Sequence, residues 1–318
     1  MTAPPGVLAD AVAQPRPPAG GSPAPEPGRA RQARPAAGPG LRVAGAALSI
    51  LAALLLGFVV DAGLVGQVRH ARDRQVDYAD FRSDLANGVA PVGRSAGGGA
   101  AAAAGDPVAL LEIPALHLRE VVREGTTAED LARGPGHRRD TTLPGQAGVA
   151  VVMARQAAYG GPFRRLGELS TGDRFSVTTG QGKHTYQVIG PRRAGDPQPP
   201  ALAEGRGRLT LITADGTPFM PSGILRVDAD LVSDVQPTPA PSLPPGALPE
   251  DEKPMAVQRA AWLPLVLWGQ GLVIAAAALA WAHARWGRPH AWVVGVPLLG
   301  ALGLAVADQA ALLLPNLL

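Results

Sequence analysis

The 318-residue chain contains no cysteine. That absence excludes disulfide bridges and thiolate metal sites, and it removes the thiol nucleophile from any covalent mechanism. Lysine is almost missing as well. It occurs only at Lys183 and Lys253, so the formal net charge of +3 comes nearly all from arginine. No run of basic residues interleaved with aromatics occurs, so the charge carries no nucleic-acid signature and no nucleic-acid partner is expected. Aromatics make 4% of the chain against 46% hydrophobic residues, which leaves the apolar content to Ala, Leu and Val, the residues of membrane spans and small β cores.

Glycine and proline are plentiful instead, 40 and 33 residues, and they are concentrated in particular stretches. Residues 1–42 are crowded with Pro, Ala and Gly without apolar periodicity and read as a disordered cytoplasmic tail. An uncharged run of 18 residues follows from Val43 to Val60. As a helix it spans about 27 Å against the roughly 30 Å of bilayer hydrocarbon, which predicts a transmembrane helix within 43–66. The competing reading is a secretory signal with the small residues Val60 and Ala62 before the cut. An 18-residue apolar core behind a 42-residue leader is long for that. Two further uncharged runs, Ala260 to Ala282 and Ala291 to Ala307, predict spans over 260–282 and 291–314. Asp308 interrupts the last one near its outer end, which favours an interfacial place over an intramembrane function.

The connector HARWGRPH, 283–290, is basic, as is the N-terminal tail, so the positive-inside rule places both in the cytoplasm. The expected localisation is the cell membrane, multi-pass, with the soluble part extracytoplasmic. Arg69, Arg72 and Arg74 on the outer flank are matched by Asp73, Asp77 and Asp80. A juxtamembrane helix over 67–86, with Tyr78, Phe81 and Leu85 on one face, leads into a flexible Gly/Ala linker, 87–106. Residues 233–258 form a Pro-rich linker, expected to extend at about 3.1 Å per residue, so that its core from Asp234 to Pro254 reaches roughly 65 Å and holds the domain off the bilayer.

Between the linkers, 107–232 reads as a folded, mainly β domain. Short aliphatic or β-branched runs start at Val108, Glu120, Gly148, Arg174, His184, Arg208 and Gly223, mostly bounded by Gly or Pro. In order and spacing this domain resembles the sortases, in the class E type of high-GC Gram-positive bacteria. IPALHL from Ile113 is similar to the family's opening strand, EGTTAEDLARGPGH from Glu124 to its helix and GPGH loop, YGGPFRRLGELSTGD from Tyr159 to its helix and turn after the catalytic His, and LTLITA from Leu209 to the strand that ends in the catalytic Cys. The resemblance covers about Val108 to Leu231 and implies a closed β-barrel of roughly eight strands around a groove for an extended sorting peptide. The expected whole is that barrel plus three transmembrane α-helices.

The resemblance also implies a cysteine nucleophile, a histidine acid and an arginine that stabilises the oxyanion. Here the Cys position is Ala214, the His position is Arg155, and only the Arg position is kept, as Arg226. A methyl group forms no acyl-enzyme and a guanidinium shuttles no proton near neutral pH. No catalytic residue is assigned. The expected protein is a catalytically inactive sortase-like module that binds a peptide or scaffolds an assembly. Its groove comprises Arg155, Arg226, Ala214 and Tyr159, the two arginines flanking a hollow left by Ala214 and inviting a peptide carboxylate or a cell-wall acid. In the bland reading Asp215 or Asp228 neutralises one arginine and nothing binds. Two alternatives stay open. One is an active transpeptidase or hydrolase with a hydroxyl nucleophile such as Thr213, Thr217 or Ser222, served by His117, His137 or His184; of these, His137 is expected to make a backbone hydrogen bond in a turn and the other two to be exposed. The other is a structural membrane subunit that pairs with a partner protein. GGGAAAAAG lacks the ending of a phosphate loop, and Glu250, Asp251, Glu252 and Lys253 form a solvated charge patch, so neither metal nor cofactor is expected.

Overall fold

The chain alternates inward and outward residues along its strands, and eight of them close into a barrel in the order β1-β2-β3-β4-β7-β8-β6-β5. The computed structural model describes Gly57, Gly63 and residues 65–93, 102–286 and 288–318. The tail expected over 1–42 lies outside the described residues, and so does the span over 43–66 apart from Gly57, Gly63, Val65 and Gly66.

The strands are β1 (Pro107–Ile113), β2 (Leu118–Glu124), β3 (Gly136–His137), β4 (Gly148–Met153), β5 (Arg174–Thr179), β6 (Gly182–Arg192), β7 (Gly207–Thr217) and β8 (Met220–Leu231). Seven coincide with the aliphatic runs of the sequence. The eighth, β3, is two residues long and was expected as loop. It pairs parallel with β2 and antiparallel with β4, and so closes the barrel between them. Gly136 makes this approach possible, because a Cβ there would run into the Gly125 carbonyl oxygen.

Alternation sorts the side chains. Leu225, Val227, Ala229 and Leu231 of β8, Ala150 and Val152 of β4, and Leu209 and Leu211 of β7 point into the core with Val108, Leu111, Phe163 and Tyr186. The Tyr186 ring stacks on Phe175 at 5.6 Å and its hydroxyl accepts from the Gly145 amide. The other parity faces outward: Val151 and Met153 of β4, Ile212 and Ala214 of β7, Arg226 of β8.

Four α-helices are described besides the strands: α1 (Gly66–Asn87), α2 (Ala128–Arg133), α3 (Trp262–Trp286) and α4 (Arg288–Leu312). The face expected on α1 packs: Phe81 is fully buried with Leu110 and Val121, and Tyr78 and Leu85 lie against them. Asp77 on the same helix pairs with Arg123 of β2 in a buried ion pair. Two stretches, Arg259–Leu279 and Val293–Leu312, are long and apolar enough to cross a membrane by length and composition.

The segment after β8 corrects the expectation of a free spacer. It runs along the barrel as a strap. The Gln236 amide donates to the Gly145 carbonyl, the Leu243 amide to the Arg139 carbonyl, and Ser242 Oγ to Glu124 at 2.6 Å. Glu252, expected in a solvated patch, is 2% exposed and pairs with Arg139, while its carbonyl accepts from Thr126 Oγ1. Proline stiffness extends such a segment, but each of these polar partners shortens its reach by holding it to the barrel surface.

Candidate functional site

The outward faces of β4 and β7 meet because these strands pair in parallel, Met153 opposite Ile212, with the next amide, Ala154, donating to the Ile212 carbonyl at 3.0 Å. The register brings Arg155 beside Ala214. Across the other edge, Ala214 pairs with Ile224 and Ile212 with Arg226, which sets Arg226 on the same face, one diagonal from Ala214. Over this face sits α2. Its start is fixed by a capping box in which Thr127 Oγ1 accepts from the Asp130 amide and Asp130 accepts from the Thr127 amide. That cap points Leu131 down onto Val151, Met153, Ile212 and Ala214, in one apolar cluster.

The cluster has a further member from far along the chain, Leu317, which is fully buried. The hollow expected around Ala214 is therefore filled, and Ala214 is 1% exposed. The segment arrives from the end of α4. Asn316 donates through Nδ2 to the carbonyls of Thr126 and Lys253, at 2.9 and 3.0 Å, and its amide donates to Ala256. The Leu317 carbonyl accepts from the Gln156 amide at 2.9 Å. Nothing in composition or periodicity flagged these residues, which follow the span expected over 291–314.

Arg155 is 0% exposed. Its Nη2 donates to the Ala128 carbonyl at 2.8 Å, its Nη1 to the Leu318 carbonyl at 3.4 Å, and its guanidinium lies 4.9 Å from the centroid of the Tyr159 ring. Among the described residues no Asp or Glu side chain pairs with it, and burial pushes the guanidinium down to about 10, still charged at neutral pH. Tyr159 is buried beside Ala158 and Ala311 of α4. Arg226 differs. It is half-buried and, among the described residues, its guanidinium donates no hydrogen bond; burial, then the charge of Arg192, lower its value against the pull of Asp228. Asp215 and Asp228 neutralise other arginines, Arg193 and Arg192 respectively, each at 2.9 Å.

Among the described residues none of the candidate hydroxyls bonds a histidine. Thr213 Oγ1 is buried and donates to the Ala154 carbonyl at 2.9 Å, Ser222 lies 3.4 Å from the Asp215 carbonyl, and Thr217 is exposed. His137 makes the expected backbone contact, to the Thr142 carbonyl at 2.9 Å, but its other nitrogen is held by Glu124 at 2.8 Å in a buried pair. Thr141 Oγ1 also lies 3.2 Å from His137 Nε2, the nitrogen already bonded to Thr142. His184, expected to be exposed, is 1% exposed and bonds Thr179 at 3.0 Å between β5 and β6. His117 is exposed, in left-handed backbone after a short turn. An open cavity of about 400 Å³ lies elsewhere, between α1, β2 and the 160–165 loop, walled by His70, Arg74, His117, Arg119, Glu120 and Arg164.

Residues 111–221 match the family model of the Sortase domain. Sortase D of Bacillus subtilis (strain 168) is 34% identical over 85 residues, 27% of this chain and 41% of that relative, so the match spans about two fifths of the relative's length. Among solved structures, a Clostridium perfringens Sortase D5 transpeptidase is 18% identical over 51% of this chain and 99% of that one, with a TM-score of 0.42. Sortase E1 from Streptomyces coelicolor, with a tripeptide in its active site, is 24% identical over 40% of this chain and 88% of that one, with a TM-score of 0.37. Residues 111–221 thus match the Sortase domain in a chain that holds no cysteine.

Proposed function

We propose that this protein is a membrane-anchored, extracytoplasmic sortase-like module without transpeptidase activity, acting at the cell envelope as a peptide-binding or scaffolding element. The observation that carries this reading is Ala214. At the position where the family resemblance expects sulfur stands a methyl group, packed in an apolar cluster with Leu317. The residue beside it is a buried arginine, which stays protonated near neutral pH and neither takes up nor gives a proton there. Arg226, kept and with a guanidinium that donates no hydrogen bond among the described residues, supports recognition of an anionic or carbonyl group in place of turnover. The two apolar helices and the basic connector between them support anchoring with the barrel on the outer side.

The test is to incubate the purified full chain in detergent micelles with a sorting-signal peptide and an amine acceptor, and to follow the products by mass spectrometry. No release of the C-terminal fragment is expected, for the wild type or for Ala214→Cys, whose thiol would have no imidazole beside it. Release by the wild-type chain would sink the reading.

A further inference from the structure

Polar atoms that lack a partner gather in one place. Six buried side-chain nitrogen and oxygen atoms among the described residues make no hydrogen bond, and four of them are Arg155 Nε, Gln156 Oε1, Gln258 Oε1 and Asn316 Oδ1. Asn316 belongs to the stretch that follows α4, Arg155 and Gln156 bond to that stretch, and Gln258 bonds to Leu312, the last residue of α4. Arg155 donates to the Leu318 carbonyl, the Gln156 amide to Leu317, and the Gln258 amide to Leu312. A core built only for packing pairs its buried polar groups. Here the apolar fit is complete, with Leu317 at 0% and Leu318 at 4% exposure, while the polar fit is not.

The manner of binding is that of a peptide in a groove. Carbonyl and amide groups of the segment are held by main-chain atoms of Gln156 and Ala256, and side chains alternate between an apolar pocket for Leu317 and carbonyl acceptors for the Asn316 amide. Main-chain bonds supply affinity and pockets supply selectivity in such recognition. We propose that the outer face of β4 and β7 is a peptide-binding site whose resident occupant is the chain's own Asn316–Leu318, a ligand in cis that a peptide of the same chemistry must displace to enter. The favoured ligand is an extended segment with a side-chain amide followed by leucine over the Ala214 cluster, and with an acceptor for Arg155 Nε. This rests on the non-catalytic reading of the same site.

The lack of native cysteine gives a direct test. Leu317→Cys places the only thiol of the chain in the pocket. In the full chain in micelles, maleimide should label it at least a hundredfold more slowly than in denaturant. A soluble peptide ending in Leu-Pro-Asn-Leu-Leu should then speed labelling at least tenfold and saturably, while a scrambled peptide does not. In a second arm, Leu317→Asp should release the segment, so that the fluorescent peptide binds at least tenfold more tightly than to wild type by anisotropy; Leu317→Gly replaces it if circular dichroism shows a loss of fold. Fast labelling without peptide, or labelling unmoved by saturating peptide, overturns the proposal. A cleaved peptide in the same samples would instead remove the non-catalytic reading and leave displacement standing.

Discussion

The guanidinium of Arg155 stacks on Tyr159, and Tyr159 reaches that place in left-handed backbone, with φ at +52°. A non-glycine residue in this region carries strain, and surrounding contacts must hold it. Here they are the cation above the ring and Ala311 of α4 beside it. The site face is thus tied together by a buried charge whose attraction to the aromatic ring offsets part of its desolvation.

Arg155→Met should therefore unfold within about 1 kcal/mol of wild type, because a flexible apolar chain of similar length fills the space and removes a buried charge. Arg155→Ala leaves a void and should cost about 3 kcal/mol. Thermal unfolding in micelles separates the two. A methionine variant as damaged as the alanine one would show that the charge itself holds the fold.

Barrel closure should hinge on Gly136. Gly136→Ala drives a methyl group into the Gly125 carbonyl and Leu131, so β3 cannot seat, and a loss of about 3 kcal/mol or more is expected. Hydrogen exchange should show the loss first in the β2 and β4 amides that flank β3.

Stability should fall as pH rises from the ordinary histidine range. Burial alone would push His137 down, but the charge and hydrogen bond of Glu124 and the Thr142 carbonyl hold it above its usual value; His70 is likewise held up against burial by Glu120. A histidine raised in the folded state adds stability that is full below its unfolded value, about pH 6.5, and is lost as pH climbs through the folded one. His184, lowered by burial, acts on the acid side, its contribution lost as pH falls. Glu124→Gln should cost about 3 kcal/mol near pH 6 and remove the His137 share of the decline. Melting temperatures across pH, unchanged in slope by this substitution, would refute the assignment.

Asp308 should matter little. It pairs with Arg69 of α1 at 2.6 Å, with both side chains more than a third exposed. Such a pair contributes about 0–1 kcal/mol and weakens with salt. Asp308→Asn should shift unfolding by no more than this, and the shift should shrink further in 0.5 M salt (roughly a 4 Å screening length).

Much of the barrel was legible because seven of its strands carry their own pattern. GILRVDADLV alternates as it does because Leu225, Val227 and Ala229 face a core and Arg226 and Asp228 do not. β3 was not legible, since two residues have no period, and the stretch was read as the GPGH loop. The strap was misread because proline content predicts extension but says nothing of partners such as Glu124 and Arg139, which come from distant strands. His184 was read as exposed from its place at a strand start, yet its ring is held against Thr179. In the site, Ala214 and Arg155 were found by resemblance to a motif, whereas Leu317 lies more than 100 residues from Ala214 and carries no motif at all.

The position of Asn316–Leu318 fixes an order of assembly. During synthesis β8 is finished before α3, α4 or any residue after them exists, so the strands of this face are made before the segment that covers them. It is covered only once both apolar helices have been made and the chain has turned back. A ribosome-paced interval thus separates the making of this face from the making of the residues that cover it.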